Sequence, residues 1–281
     1  MNGTGTLSLP TARRQRRGWW RTALAVVIVG VLLFPVYWMV NVSLQRTGGA
    51  AHAPWFPTSI SFQGYATALV DQGGHLLLSL VVALGTVVVS LLVGAPGAYA
   101  LSLLRAPGAR GVLLVLLVAQ MIPSIVVANA LYNAYNELGM LNTVVGLILA
   151  DATYGVPFVM LILTTGMQSV PDSIVEASRV DGAGRMRTFL AIVLPMSRNA
   201  LVTGGLFSFL FAWGDFLFAL TLTTSEHVRP VTLGIYTYLG AYVNDWSAVM
   251  ATAVLASVPA VALLVVAQKY VAAGVSAGAV K

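Results

Sequence analysis

Six long stretches with few or no charged residues dominate the sequence and limit what the chain can fold into. They cover residues 22–40, 76–100, 112–132, 143–165, 199–222 and 246–268. An α-helix needs about 20 mostly apolar residues to cross the hydrocarbon core of a bilayer. These stretches are too long and too apolar to be strands of an outer-membrane barrel, which alternate over short segments. The sequence therefore predicts an all-α membrane protein with six transmembrane helices.

The composition excludes a water-soluble domain. Hydrophobic residues make up 58% of the 281 residues and charged residues only 9%, whereas soluble domains carry about 25% charged residues. A soluble fold of this size must expose a large part of its side chains to water, and this chain has too few polar ones for that. The absence of cysteine also excludes disulfide bonds and thiolate zinc sites.

The basic residues are distributed unevenly between the two sides of the predicted membrane. The side that holds both termini carries all but two of the 15 lysines and arginines, and the opposite side carries only Arg46 and Arg229. Loops rich in Lys and Arg stay in the cytoplasm, so we expect both termini to be cytoplasmic. The net charge of +6 then indicates orientation rather than nucleic-acid binding.

The first 18 residues are predicted to form a basic cytoplasmic leader, followed by one transmembrane domain over residues 19–281. The arginines of the leader are typical of a signal peptide. However, the apolar run that follows is about twice the usual length, and no small-x-small cleavage site comes after it. We therefore expect an uncleaved signal anchor.

The loop between the fourth and fifth spans, residues 167–198, is longer than a connection requires. Pro171 and Asp172 suit the first turn of a helix, and apolar residues then alternate with charges at helical spacing. Gly182 supplies a turn, and a second short helix is predicted to end at Pro195. A compact loop of this length is more often functional than a simple linker. Its mixture of acids and bases favours docking into a protein groove over floating on lipid.

This loop resembles the EAA loop of permease subunits of bacterial ABC importers. The family pattern is Glu-Ala-Ala, three residues, Gly, nine residues, Ile, one residue, Leu-Pro. It is matched by Glu176, Ala177, Ser178, Gly182, Ile192, Leu194 and Pro195, with Ser178 as the one departure. Stretches between about residues 20 and 270 are also similar to the sugar-importer branch, especially its maltose-type second permease subunit. One of these is 213–217, although Gly214 stands where that branch usually has Asn.

The resemblance implies a type I ABC importer permease fold in the inner membrane and a set of partners. These are a second homologous permease subunit, two cytoplasmic ATPase subunits and an extracytoplasmic solute-binding protein. ATP and Mg would be bound by the ATPase partner, and no cofactor by this chain. It also implies that Glu176 meets a basic group of the ATPase, that Ala177 and Ser178 allow close approach, and that Gly182 makes the turn. Asp181 lies in the same coupling loop.

The distribution of lysines and histidines argues against chemistry within this chain. Its two lysines, Lys269 and Lys281, do not lie in a glycine-rich phosphate-binding loop, so the chain is not predicted to be its own ATPase. The three histidines are scattered and form no cluster of the kind a membrane enzyme would need. We therefore expect a protein that is not an enzyme.

Two acids inside the predicted spans are candidates for the solute pathway, because ionisable residues within a membrane are costly and usually functional. Asp151 and Asp215 lie about nine and about seventeen residues into their spans, which at about 1.5 Å per residue places both in the outer half of the membrane. Four further candidates for hydrogen bonding and sugar stacking are Asn129, Tyr132, Tyr154 and Trp213. These four have an alternative role in packing, and Asp215 has one at a helix end or subunit interface.

One other class of transporter stays open at this point, a stand-alone secondary transporter driven by an ion gradient. Such carriers are commonly built from inverted repeats with broken helices, and no convincing repeat is visible in this sequence. The sequence names no solute. The expectation of a sugar rests on the family branch alone.

Overall fold

Helices form every regular element in the part of the chain that the structure describes. This computed structural model describes residues 19–46, 54–57, 59–104, 106–225, 227–241 and 245–279. The predicted basic leader, residues 1–18, lies outside the described residues. The prediction of an all-α fold is confirmed.

The helices divide into long membrane-spanning elements and short connecting ones. In chain order they are α1 Trp19–Ser43, α2 Gln63–Ser102, α3 Ala109–Ala119, α4 Ser124–Leu138, α5 Val144–Met167, α6 Asp172–Val180, α7 Arg185–Thr188, α8 Leu194–Met196, α9 Arg198–Gly214, α10 Leu217–Leu222, α11 Val231–Ala241 and α12 Trp246–Ala279. Helices α1, α2, α5 and α12 are each long and apolar enough to cross a bilayer. Two bent pairs could each form one further span, α3 with α4, and the α7–α8 segment with α9. The described residues then contain up to six membrane spans.

The third predicted span, residues 112–132, is interrupted near its middle. It is divided into α3 and α4, which meet at an angle of 95°. Pro123 lies at this break, in extended backbone with φ −57° and ψ 133°. Proline lacks the N–H that a helix interior needs, and it disfavours helical backbone in the residue before it. Pro96, Pro157 and Pro259 instead lie inside α2, α5 and α12 without ending them.

The fifth predicted span, residues 199–222, is also divided. Helix α9 ends at Gly214, Asp215 is extended with φ −63° and ψ 135°, and α10 starts at Leu217. The two carboxylate oxygens of Asp215 accept hydrogen bonds from the backbone N–H groups of Phe218 at 3.3 Å and Ala219 at 3.0 Å. A short acidic side chain thus satisfies donors that the start of a helix leaves free.

The core is built where α2, α5 and α9 pack against one another through small residues. Gly155 of α5 faces Ser90 of α2 and Ser208 of α9, whose hydroxyl groups are hydrogen-bonded to each other at 3.0 Å. Gly94 similarly gives Val159 room to approach α2. Close packing of small residues is a common way for helices to associate in lipid, where apolar burial alone gives little driving force.

Helix α1 packs on α12 and leaves most of its apolar side chains exposed. Near its end, the Tyr37 hydroxyl donates to the backbone oxygen of Trp55, and the Asn41 amide donates to that of Pro54 at 2.8 Å. An apolar exterior of this kind suits contact with lipid rather than water.

Candidate functional site

The loop between α5 and α9 begins with a helix whose start is set by the local sequence. Pro171 lies in extended backbone, with φ −61° and ψ 132°, directly before α6. A proline has no N–H to leave unpaired at this position, and Asp172 places a negative charge at the positive end of the helix dipole.

A glycine in the left-handed conformation forms the turn after α6. Gly182 has φ 81°, a backbone conformation that residues with side chains rarely adopt. The N–H of Gly182 donates to the backbone oxygen of Arg179 at 3.0 Å. The N–H of Ala183 donates to the backbone oxygen of Ser178 at 2.9 Å. These bonds satisfy the last carbonyl groups of α6 in the manner of a helix C-cap. Gly182 therefore fixes the direction in which the chain enters α7.

The second part of the loop is an irregular helical segment. Between α7 and α8 lies a π-helical turn, Phe189–Val193, and Pro195 lies in the first turn of α8. Helical structure continues to Met196, one residue past the predicted end, and the chain then bends by 80° into α9. A proline cannot donate to a carbonyl one turn earlier, so an irregular turn directly before Pro195 is consistent with its chemistry.

One face of the loop packs onto the membrane helices. Val175 of α6 and Phe189 and Val193 of the π turn are buried in one cluster with residues of α2 and α5, among them Tyr99 and Leu163. The ring centroids of Tyr99 and Phe189 are 5.0 Å apart. The loop is therefore attached to the ends of two core helices.

The burial of Ser178 corrects its expected role on the surface of the loop. It is only 5% exposed, and its hydroxyl oxygen lies 3.0 Å from that of Thr188. A small hydroxyl residue here joins the two halves of the loop rather than facing outward. Ile192 and Leu194 are half-buried, and Leu194 packs against the same apolar cluster, while Pro195 is exposed.

The opposite face of the loop is exposed and mixed in character. It carries four of the residues predicted to contact an ATPase, Glu176, Ala177, Asp181 and Gly182. Two apolar side chains join them, Val180 at 87% and Met186 at 68% exposure. Glu176 makes no ion pair within the described part of the chain, and it lines a recess of about 650 Å³ between the loop and the end of α2. This surface can meet both apolar and charged groups of another protein.

A second site is a cleft of about 400 Å³ within the membrane region. It brings together three residues that the sequence analysis proposed for the solute pathway, Asp151, Tyr154 and Asp215. The rest of its lining consists of Gln120, Met121, Ile122, Pro123, Ser124, Phe211 and Phe218. Both helix breaks, the one before α4 and the one after α9, therefore open onto the same cleft.

The two acids of the cleft differ in how they are held. The carboxylate of Asp215 accepts hydrogen bonds from backbone N–H groups at the start of α10. Asp215 therefore has the helix-end role that was its alternative in the sequence analysis. Asp151 is only 5% exposed, and its carboxylate accepts no hydrogen bond from any residue that the structure describes. The Tyr154 hydroxyl donates to the backbone oxygen of Ile122 at 2.9 Å, which leaves its oxygen free to accept.

Three other candidates lie away from the cleft lining. Asn129 and Tyr132 are exposed on α4. Trp213 is buried, its indole N–H donates to the backbone oxygen of Ala256 at 3.0 Å, and its ring stacks on Phe209 at 5.5 Å. Trp213 thus has a packing role that joins α9 to α12. Sequence reasoning could not separate these residues from Asp151, because polarity does not indicate which way a side chain points.

The sequence analysis missed Gln120, Ser124 and Phe211 as cleft residues. Pro123 was a usable indication, because a proline within an apolar stretch predicts a break that exposes neighbouring backbone.

The sequence analysis also missed Asn142, which adopts φ 58° and whose side-chain oxygen accepts the N–H of Thr224 at 2.6 Å. That contact holds the chain after α10 close to the start of α5.

A family model and curated relatives match most of the chain. The model of the binding-protein-dependent transport system inner membrane component matches residues 94–277. The chain is 32% identical to the diacetylchitobiose uptake system permease protein DasC of Streptomyces coelicolor, over 93% of this chain and 96% of that protein. It is 30% identical to the trehalose/maltose transport system permease protein MalG of Thermococcus litoralis, over 92% and 94% of the two chains.

A solved structure supports the same architecture. A chain of a bacterial ABC transporter involved in the import of the acidic polysaccharide alginate superimposes with a TM-score of 0.78. The match covers 93% of this chain and 99% of that chain at 23% identity. At this identity the likeness concerns the overall fold.

Proposed function

The chain belongs to the binding-protein-dependent transport system inner membrane component family. We propose that it forms half of the translocation pathway of an ATP-driven importer for a sugar. The family is a transport component of the inner membrane rather than an enzyme. The sugar assignment draws on relatives whose names refer to diacetylchitobiose and to trehalose or maltose.

The arrangement of the α6–α8 loop is the observation that carries the proposal. Its buried face is attached to α2 and α5 through Val175 and Phe189, and its opposite face offers Glu176, Val180 and Met186 to another protein. A rigid loop attached to core helices can transmit a displacement, because packed interfaces move as units rather than deforming continuously. We propose that an ATPase subunit binds this face and that its movement reaches the solute pathway through α2 and α5.

The remaining partners complete the proposed assembly. They are a second homologous permease subunit, a second ATPase subunit and an extracytoplasmic solute-binding protein. ATP and Mg bind to the ATPase subunits in this assignment. Neither Lys269 nor Lys281 lies in a phosphate-binding loop, which supports hydrolysis by another chain.

The coupling assignment requires the α6–α8 loop to face the cytoplasm, which predicts the side of the C-terminus. With six spans and the observed bias of basic residues, both termini and this loop lie on the same side. We expect a reporter fluorescent only in the cytoplasm to be active when fused after Lys281. An alkaline phosphatase fusion at the same point should be inactive. The reverse pattern would contradict the orientation and the coupling assignment with it.

Copurification tests the assembly directly. The tagged chain is extracted from its native membrane in mild detergent, and the proteins that accompany it are identified by mass spectrometry. We expect an ATPase and a second six-span chain, and reconstituted vesicles should take up labelled trehalose, maltose or diacetylchitobiose only with ATP. Uptake by this chain alone, driven by an ion gradient without ATP, would support the secondary-transporter alternative instead.

A further inference from the structure

We propose that the cleft around Asp151 is a solute subsite that binds an uncharged sugar ring through its hydroxyl donors and excludes anionic sugars. This inference rests on the proposed import function and adds the residues that contact the solute and the charge that the pathway accepts. The cleft is the one lined by Asp151, Tyr154 and Asp215 together with the residues around Pro123.

The backbone at the cleft points to a polar occupant. The chain is not helical between α3 and α4 or between α9 and α10, and Pro123 and Asp215, one at each break, both line the cleft. Irregular backbone at membrane depth is tolerated only where protein buries it or where it lines a water-filled cavity. Two such breaks opening on one cavity are therefore expected of a pathway for a hydrophilic solute rather than of a lipid contact.

One acidic side chain at the cleft, that of Asp151, has no hydrogen-bond donor among the described residues. Asp151 is almost fully buried and accepts no hydrogen bond from the described residues. Leaving a buried acidic side chain without a partner is costly, so the position favours a ligand that brings donors of its own. The carboxyl oxygens of Asp151 can accept hydrogen bonds, and a ring carrying several hydroxyl groups offers several donors within a small volume.

The apolar part of the lining suits the faces of a sugar ring. Tyr154 and Phe218 lie side by side, with ring centroids 5.9 Å apart, and Phe211 is half-exposed at the edge of the cleft. Aromatic rings combine a large apolar surface with defined geometry. The volume of about 400 Å³ falls within the range of pockets that hold small organic ligands.

The charge of the lining selects against anions and gives little support for a metal. Among the described residues that line the cleft, Asp151 and Asp215 are acidic, and none is a lysine, arginine or histidine. A carboxylate or phosphate on the solute would leave water without finding a cation in this lining, which is strongly unfavourable. Ca²⁺ takes six to eight oxygen ligands, and the described residues contain no group of three or more His, Cys, Asp or Glu that could hold a metal ion.

Replacing one acceptor tests the subsite in the assembled transporter. Purified complex is reconstituted with its binding protein, and uptake of labelled trehalose, maltose or diacetylchitobiose is measured together with ATP hydrolysis. For Asp151→Asn we expect the sugar imported per ATP hydrolysed to fall about tenfold, as for loss of one hydrogen bond. Stimulation of ATP hydrolysis by the binding protein should persist. The matched control is Glu137→Gln, an exposed acid on α4 away from the cleft.

The outcomes separate the two proposals. Normal coupling in Asp151→Asn alongside normal wild-type uptake would overturn the subsite and leave the import function standing. If the wild type imports none of the three sugars, the sugar assignment fails, and cysteine labelling still decides the properties of the cleft.

Cysteine labelling is specific because the chain has no cysteine of its own. Ser124→Cys places one thiol in the cleft, and Asn129→Cys places one on the exposed surface of α4. We expect a cationic methanethiosulfonate to modify Ser124→Cys several-fold faster than an anionic one of similar size, with a smaller difference at Asn129→Cys. Equal rates for the two reagents at Ser124→Cys would overturn the charge selectivity of the cleft.

Discussion

Replacement of Gly182 by isoleucine is expected to uncouple sugar uptake strongly from ATP hydrolysis while the transmembrane helices still insert. Gly182 has φ 81°, and an ideal Cβ built there has no atom within 4 Å, so the effect comes from the backbone rather than from a clash. A left-handed conformation costs a residue with a side chain about 1–2 kcal/mol, and a β-branched one suffers most. The turn would relax, and the exposed face of α6 would lose its direction relative to α7.

The measurement is sugar uptake and ATP hydrolysis in reconstituted vesicles. We expect uptake to fall at least about tenfold, since about 1.4 kcal/mol corresponds to a factor of ten in an equilibrium. Gly182→Asn is the matched control, because asparagine adopts positive φ far more readily than isoleucine. If Gly182→Ile transports as well as Gly182→Asn, the turn is not part of the coupling surface.

The second large effect is expected for Gly155→Leu, which should prevent the helices from packing. An ideal Cβ on Gly155 clashes with the Ser90 hydroxyl and lies 2.8 Å from that of Ser208. The added side chain would separate α5 from α2 and α9 and break the hydrogen bond between the two serines. Overpacking of a tight core lowers the free energy of unfolding by about 3 kcal/mol in unfavourable cases. Here three helices meet where the new side chain would lie.

The yield of monodisperse protein in detergent and the midpoint of its thermal unfolding test this prediction. Gly30→Leu makes the same substitution in α1, at an exposed position with no atom within 4 Å of an ideal Cβ. We expect Gly30→Leu to behave like the wild type and Gly155→Leu to give little folded protein. Similar midpoints of thermal unfolding for the two variants would contradict the prediction, because they would show that α2, α5 and α9 can move apart without loss of stability.

The amino-acid sequence by itself determined the features that depend on neighbouring residues along the chain. The length of an apolar run decides whether a helix can cross the bilayer, because the hydrocarbon thickness is fixed. Pro171 and Gly182 likewise set the start of α6 and the turn that follows it. These are backbone preferences of single residues, and they hold largely irrespective of what packs around them.

Only the tertiary structure decided which polar residues share a site. Asp151 lies in α5 and Asp215 in the break between α9 and α10, and the two meet in one cleft. Trp213, two residues before Asp215, faces α12 instead. Ser178 occupies the position of the second Ala of the family pattern, and its hydroxyl points inward to that of Thr188. The physical reason is that the direction of a side chain depends on the phase of its helix and on the breaks before it. Helices in lipid pack through contacts between distant segments, which the local sequence does not specify.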